Sequence, residues 1–178
     1  MFSIEMIRGF VQGMVDAEEN LKKLQIKNHL YALSNRVTCR SRKITCVIVN
    51  NRLEVVGEGT NNPDPTMDCV SYARSLGHVF EDDGRCPRRI LGFKSGQGLE
   101  LCRARHAERE SIKDAQSKGI DTHGLSMFMD CECPCHECAT AIKDAGIKTI
   151  HIKDHPDYDP RGRAIMTAGG VEIKTWFK

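Results

Sequence analysis

Residues 125–152, LSMFMDCECPCHECATAIKDAGIKTIHI, decide the architecture. Leu125–Cys131 reads as a strand, residues 135–145 as a helix, and Lys148–Lys153, with β-branched Thr149, Ile150 and Ile152, as a strand again. A strand, a helix and a strand in so short a span predict an α/β sandwich with parallel pairing toward the C-terminal half. Working outward, 160–168 reads as a helix, Val171–Phe177 as a last strand, and 103–118 as a helix ahead of the quoted stretch. Ile44–Asn50 and Leu53–Glu58 form a hairpin about the turn-like Asn50–Asn51–Arg52. Phe2, Met6, Phe10 and Met14, with Ile7, Val11 and Val15 beside them, predict an amphipathic, core-packing helix over roughly 2–24. Between hairpin and second helix, 59–100 is rich in Gly, Pro, Asn and Asp, with one helix near Cys69–Leu76. A loop region this long is usually functional or stapled by metal. The expectation is one domain over 1–178, with 1–35 a helical extension and 59–100 an irregular insertion.

Composition bounds the function. The 178 residues are 40% hydrophobic and 28% charged, with a net charge of +2, as in an ordinary globular protein. Such a balance gives no general drive toward nucleic acid, and the 6% aromatic content offers few stacking platforms for a polynucleotide. No uncharged stretch approaches the length of a membrane span, and Met1–Asn20 carries too many charges for a signal peptide. The nine cysteines therefore read as thiols in a reducing, cytoplasmic setting, where metal outranks disulfides.

Two short elements carry the chemistry: His106–Ala107–Glu108 and Pro134–Cys135–His136–Glu137–Cys138. Cysteines three apart at a helix start place both sulfurs on one side of its first turn, where they can share a tetrahedral ion. Pro134 suits that start, since a fixed φ fits the first turn, and the helix dipole favours thiolates there. His106 and Glu108 would diverge by roughly 200° inside a helix, so the helix is expected to begin nearer 106 than 103. Three protein ligands leave zinc one open position, and a non-ligating carboxylate beside it suits proton transfer. In this order the two halves are the pattern of zinc nucleobase deaminases. An all-thiolate site of Cys131, Cys133, Cys135 and Cys138 competes on paper but leaves His106 and Glu108 without a purpose.

From about residue 36 onward the chain resembles deoxycytidylate (dCMP) deaminases, including their late-competence-protein and phage branches. ITCVIVNNRLEVVGEGTNN resembles the family's first hairpin, and SGQGLELCRARHAERESI and DCECPCHECATAIKDAGIKTIHI resemble its two metal-binding segments. The resemblance implies a cytidine-deaminase-like three-layer α/β/α sandwich with a five-stranded mixed sheet. It implies hydrolysis of dCMP to dUMP and ammonia, Zn2+ on His106, Cys135 and Cys138, and Glu108 as the catalytic residue. It further implies a homo-oligomer, commonly a hexamer, with dCTP and dTTP as effectors in some members. Departures fall near the substrate. Glu110 and Ser111 stand where the family has Asn and Ala, and Gly59–Thr60–Asn61–Asn62 replaces a Gly-Tyr-Asn-Gly turn. Asn61 and Asn62 are the substrate-side candidates there, while Glu110 either faces substrate or faces solvent beside Arg109 and Lys113.

Other signals leave two readings each. Arg36, Arg40, Arg42 and Lys43 form either a solvated edge or, at Arg42 and Lys43, a phosphate contact. Cys69, His78, Cys86 and Cys102 are either ordinary thiols with a bystander or a second, structural zinc site of the kind some related deaminases carry. Asp157 and Tyr158 follow the fourth strand, where loops meet ligand, yet they serve equally as turn formers. Beside dCMP deamination stand two other functions: a deaminase of another amino-bearing base (a cytidine or modified cytosine nucleotide, or a tRNA adenosine), and a catalytically silent zinc protein that binds nucleotides.

Overall fold

The computed structural model describes residues 3–94, 97–157 and 159–177. Helix α1 (Ile4–Ser34) leads into β1 (Thr45–Val49) and β2 (Val55–Thr60), followed by the short α2 (Cys69–Ser75) and α3 (Pro87–Ile90) and a single 3-10 turn at Leu99–Leu101. Then come α4 (Ala107–Ser117), β3 (Ser126–Met129), α5 (His136–Asp144), β4 (Thr149–Lys153), α6 (Pro160–Ala168) and β5 (Glu172–Phe177). The sheet order is β2-β1-β3-β4-β5. β1 runs antiparallel to β2 and β3, whereas β3, β4 and β5 are parallel. The mixed sheet and its parallel C-terminal half are those expected from the quoted stretch. No helix among the described residues is long and apolar enough to cross a membrane.

Strand alternation divides the core in two. Cys46, Ile48, Met127, Met129 and Ile150 point to the face covered by α4, α5 and α6. Val47, Val49 and Phe128 point to the other, where Ile26, Leu30 and Leu33 of α1 cover them. Phe128 stacks on His151 at 4.0 Å and meets Trp176 edge-on at 4.6 Å. The result is a three-layer sandwich in which the C-terminal third of α1 is one whole layer.

α1 corrects the sequence expectation twice. It runs to Ser34 rather than 24, and Met6, Phe10, Val11, Met14 and Val15, read as core-packing, are exposed, while Phe2 and the Ile7 side chain lie outside the described residues. Phe10 is 71% exposed and Met14 60%, because the sheet lies only beneath Ile26, Leu30 and Leu33. Gly59 and Thr60 are the end of β2, not a turn; the hairpin turns at Asn50–Leu53, where Leu53 takes φ 60°. Gly59 is instead a point of close approach. A Cβ there would lie 2.0 Å from the Ala107 carbonyl oxygen and 2.5 Å from the Ser111 nitrogen, so α4 rests directly on the β2 backbone.

Candidate metal centre and substrate cleft

α4 and α5 begin side by side, α5 just beyond the end of the central strand β3, and each start supplies ligands. His106 caps α4 in extended conformation (φ −85°, ψ 134°), and Glu108 sits in the first turn that follows. Held outside the helix, His106 turns toward the same point as Glu108. Cys135 caps α5 and Cys138 is three residues on, so Pro134 precedes the cap instead of opening the first turn. His106 Nδ1 lies 3.2 Å from Cys138 Sγ and 3.5 Å from Cys135 Sγ. Two ligands of one tetrahedral zinc, at ordinary Zn–N and Zn–S lengths, stand about 3.5 Å apart. All three ligand atoms lie within 4.8 Å of one another. Among the described residues this is the one group of its kind, and Cys131 and Cys133 are outside it.

Electrostatics fit a soft dication. The Cys138 hydrogen bond, seconded by His106, draws the Cys135 pKa down to about 4, making it a thiolate. The same bond pushes Cys138, its donor, upward. An ion between the sulfurs takes both as thiolates, and both helix starts turn partial positive charge toward them. Burial pushes the Glu108 carboxyl up; its backbone N–H, His106 and a bond to Cys138 only partly restore it. Cys131 and Cys133 are buried thiols, Cys133 raised to about 11 by burial.

A cleft opens over His106 and Glu108, walled by Asn61, Arg42, Glu132, Arg88, Arg89 and Leu99. Asn61 accepts from the Ile44 amide and donates to the Arg42 carbonyl, fixing the cleft's edge. Asn62 turns away, accepting from the Thr38 amide and donating to the Arg36 carbonyl. Lys43 does not line the cleft, and Arg42 meets Glu132 in a fork of 2.5 and 2.6 Å. Arg88 and Arg89 escaped the sequence reading. Arg88 is buried, with Nε donating to the Gln97 carbonyl, Arg89 donates to the Phe93 carbonyl, and neither arginine has a carboxylate partner among the described residues. Pro87 at the start of α3 was the available signal, since it opens a helix that carries both guanidinium groups inward.

Glu110 lies in the adjoining groove, paired with Arg105 at 2.9 Å and Lys113 at 3.0 Å, while Arg109 reaches Glu137. Asp157 is held by Arg163, and Tyr158 falls outside the described residues. Asp159, which sequence reasoning overlooked, takes the His136 amide and ring and is held well below the carboxylate range, first by Arg161. It ties the start of α5 to α6, where Gly162 admits the Pro134 carbonyl to 1.9 Å of a Cβ position.

The second cysteine group differs from its expected composition. Cys39, Cys69, Cys86 and Cys102 line one small cavity; His78 is not among its walls. Burial raises the Cys69 pKa, and the neighbouring Cys102, Cys39 and Cys86 add to that. Their sulfurs are not drawn as close together as the ligand atoms of the His106 group.

A fold of this topology with this donor set defines a zinc-dependent deaminase domain, and the chain belongs to the cytidine and deoxycytidylate deaminase family, whose zinc-binding region matches residues 19–153. Its cofactor is Zn2+, which the His106, Cys135 and Cys138 group fits. Among curated relatives, the chain is similar to a deoxycytidylate deaminase of Schizosaccharomyces pombe, 26% identical over 80% of this chain and 40% of the relative. It is also similar to that of Enterobacteria phage T4, 26% identical over 80% and 83%. ComE operon protein 2 of Bacillus subtilis is 24% identical over 83% and 66%. The chain thus spans about two fifths of the yeast relative's length. In fold it is similar to the cyanophage S-TIM5 dCMP deaminase in complex with dCMP and dUMP, with TM-score 0.62 and 18% identity over 88% of this chain and 97% of that one.

Proposed function

We propose that the chain hydrolyses dCMP to dUMP and ammonia. The observation that carries this reading is one cleft holding both a buried carboxylate beside the His106, Cys135 and Cys138 group and, on its wall, arginines free of carboxylate partners. Relatives named deoxycytidylate deaminases support the choice of substrate. His106, Cys135 and Cys138 hold the zinc, which when bound makes water acidic enough to attack near neutral pH. Glu108 accepts a proton from the attacking water and delivers it to the ring nitrogen beside the attacked carbon. It then takes the remaining proton of the newly added hydroxyl and passes it to the amine as the C–N bond breaks and the carbonyl forms, so water is consumed and ammonia leaves. The raised pKa of its buried carboxyl suits a group that must both take and give a proton. Arg88 and Arg89 receive the phosphate by charge-assisted hydrogen bonds, with Arg42 positioned through Glu132 at the same wall.

The test is a panel of dCMP, dCTP, deoxycytidine and cytosine, followed by ammonia release. Turnover of dCMP with little of the nucleoside supports the reading; turnover of the nucleoside or base alone defeats it. Arg88→Ala is expected to raise KM for dCMP by about tenfold to a hundredfold, the effect of losing a charged hydrogen bond of about 1.5–3 kcal/mol, and to leave deoxycytidine unaffected. Equal loss on both substrates would assign Arg88 a structural role only.

The reading includes a second, structural Zn2+ on Cys39, Cys69, Cys86 and Cys102, supported by four free thiols from separate segments around one cavity. Metal analysis is expected to give two zinc ions per chain, falling to one in Cys86→Ser. One zinc in the native protein overturns it. Nine free cysteines favour a cytoplasmic setting. A homo-oligomer belongs to the same reading.

A further inference from the structure

We propose that α1 pairs with α1 of a second copy of this chain, as a parallel two-stranded coiled coil along a seam that faces away from the sheet. The inference does not rest on the deamination chemistry.

Residues 10, 14, 17, 21, 24, 28 and 31 are separated alternately by four and three positions, the spacing of heptad core sites. They are Phe10, Met14, Ala17, Leu21, Leu24, Asn28 and Tyr31. Phe10, Leu21, Leu24 and Tyr31 are 71%, 56%, 52% and 74% exposed. Ile26, Leu30 and Leu33, which seat α1 on the sheet at 2–3% exposure, lie on the opposite side of the helix. One helix therefore carries two apolar stripes, and the domain uses only one. The uncovered stripe has the 3.5-residue period of a helical partner, not the broader face of a helix lying against a sheet.

The partner is needed. Every described side chain from Ile4 to Leu21 is exposed, and a helical segment of that length without packing is marginal in water. Gly9 and Gly13 weaken it further, by about 1 kcal/mol each relative to alanine, and neither approaches any other atom that would explain it. The same face on a second copy is self-complementary. In parallel register Phe10 meets Phe10 and Leu24 meets Leu24, and Asn28, at a core site, is satisfied by its own counterpart. The flanking sites raise no like-charge conflict: the charged residues among them are Glu18 and Lys27, of opposite sign, and Glu18 is already engaged by Lys22. A seam about 30 Å long on each copy reaches the roughly 1,200 Å² at which stable interfaces begin. A membrane surface fits less well, since the basic Arg8, Lys22, Lys23 and Lys27 of α1 are matched by Glu5, Asp16, Glu18 and Glu19, and Lys22 and Lys23 are paired within the helix, so no net positive charge draws it to anionic lipid.

Light scattering on the full-length, zinc-loaded protein tests this. The double variant Leu21→Lys/Leu24→Lys is expected to halve the mass in solution while retaining its zinc. Val15→Lys, which removes an exposed apolar side chain off the seam, is expected to keep the native mass. Should the double variant fail to fold, Met14→Lys, farther from the sheet, must produce the same halving. A native protein that is monomeric at micromolar concentration overturns the proposal. So does an unchanged mass in the seam variants, a fall by any factor other than two, a Val15→Lys mass that also halves, or a native monomer that co-sediments with anionic phospholipid vesicles.

Discussion

Glu108→Gln is expected to lower dCMP turnover by about a thousandfold while zinc content and melting temperature hold. The magnitude is that of a general acid–base group that handles every proton in the reaction. Zinc persists because the three ligands come from His106, Cys135 and Cys138, and glutamine keeps the shape that fills the space at the start of α4. Stability holds for a related reason. Burial works against the charged carboxylate at position 108, so a neutral isostere relieves that penalty while losing a bond to Cys138. Turnover above about a tenth of native, with zinc intact, would remove Glu108 from the chemistry. Loss of zinc along with activity would instead make it a structural prop.

Gly59→Ala is the second large effect, and it acts through the backbone. The added methyl would lie 2.0 Å from the Ala107 carbonyl oxygen and 2.5 Å from the Ser111 nitrogen. Neither atom can swing aside as a side chain does, so β2 and α4 must separate. Overpacking of this kind costs about 3 kcal/mol. The displaced turn of α4 also carries His106 and Glu108, so zinc affinity is expected to fall with stability. Denaturant midpoint and metal titration on the same preparation check both. A variant as stable as the native protein would show that the helix and strand do not rest on one another here.

The sequence disclosed what repeats or alternates. The hairpin, the strand–helix–strand of 125–152 and the last helix and strand were legible because each buried face follows the period of its element. His106, Glu108, Cys135 and Cys138 were legible because the first turn of a helix gathers nearby residues to one point. Distant convergence was not. Cys39 joins Cys69, Cys86 and Cys102 only through the tertiary fold, and His78, nearer in sequence, stays out. Arg88 and Arg89 reach the cleft from α3, a helix of four residues and too short to show a period. α1 misled in another way: its N-terminal stripe is truly amphipathic, but amphipathicity does not say what covers it. Asn62, next in sequence to the cleft residue Asn61, bonds instead to the Thr38 amide and the Arg36 carbonyl.

The edge-to-face contact of Trp176 with Phe128 has a practical consequence. The chain has one tryptophan, and its ring nitrogen bonds the Met129 carbonyl on the face that α1 covers. Intrinsic fluorescence thus watches a single layer, the one remote from the thiols. The neighbouring imidazole of His151, its pKa lowered to about 4 chiefly by burial, stays neutral through the physiological range and adds no titration to the signal there. Chelators that strip the ion yet leave the emission unchanged would show that the two faces of the sheet loosen independently.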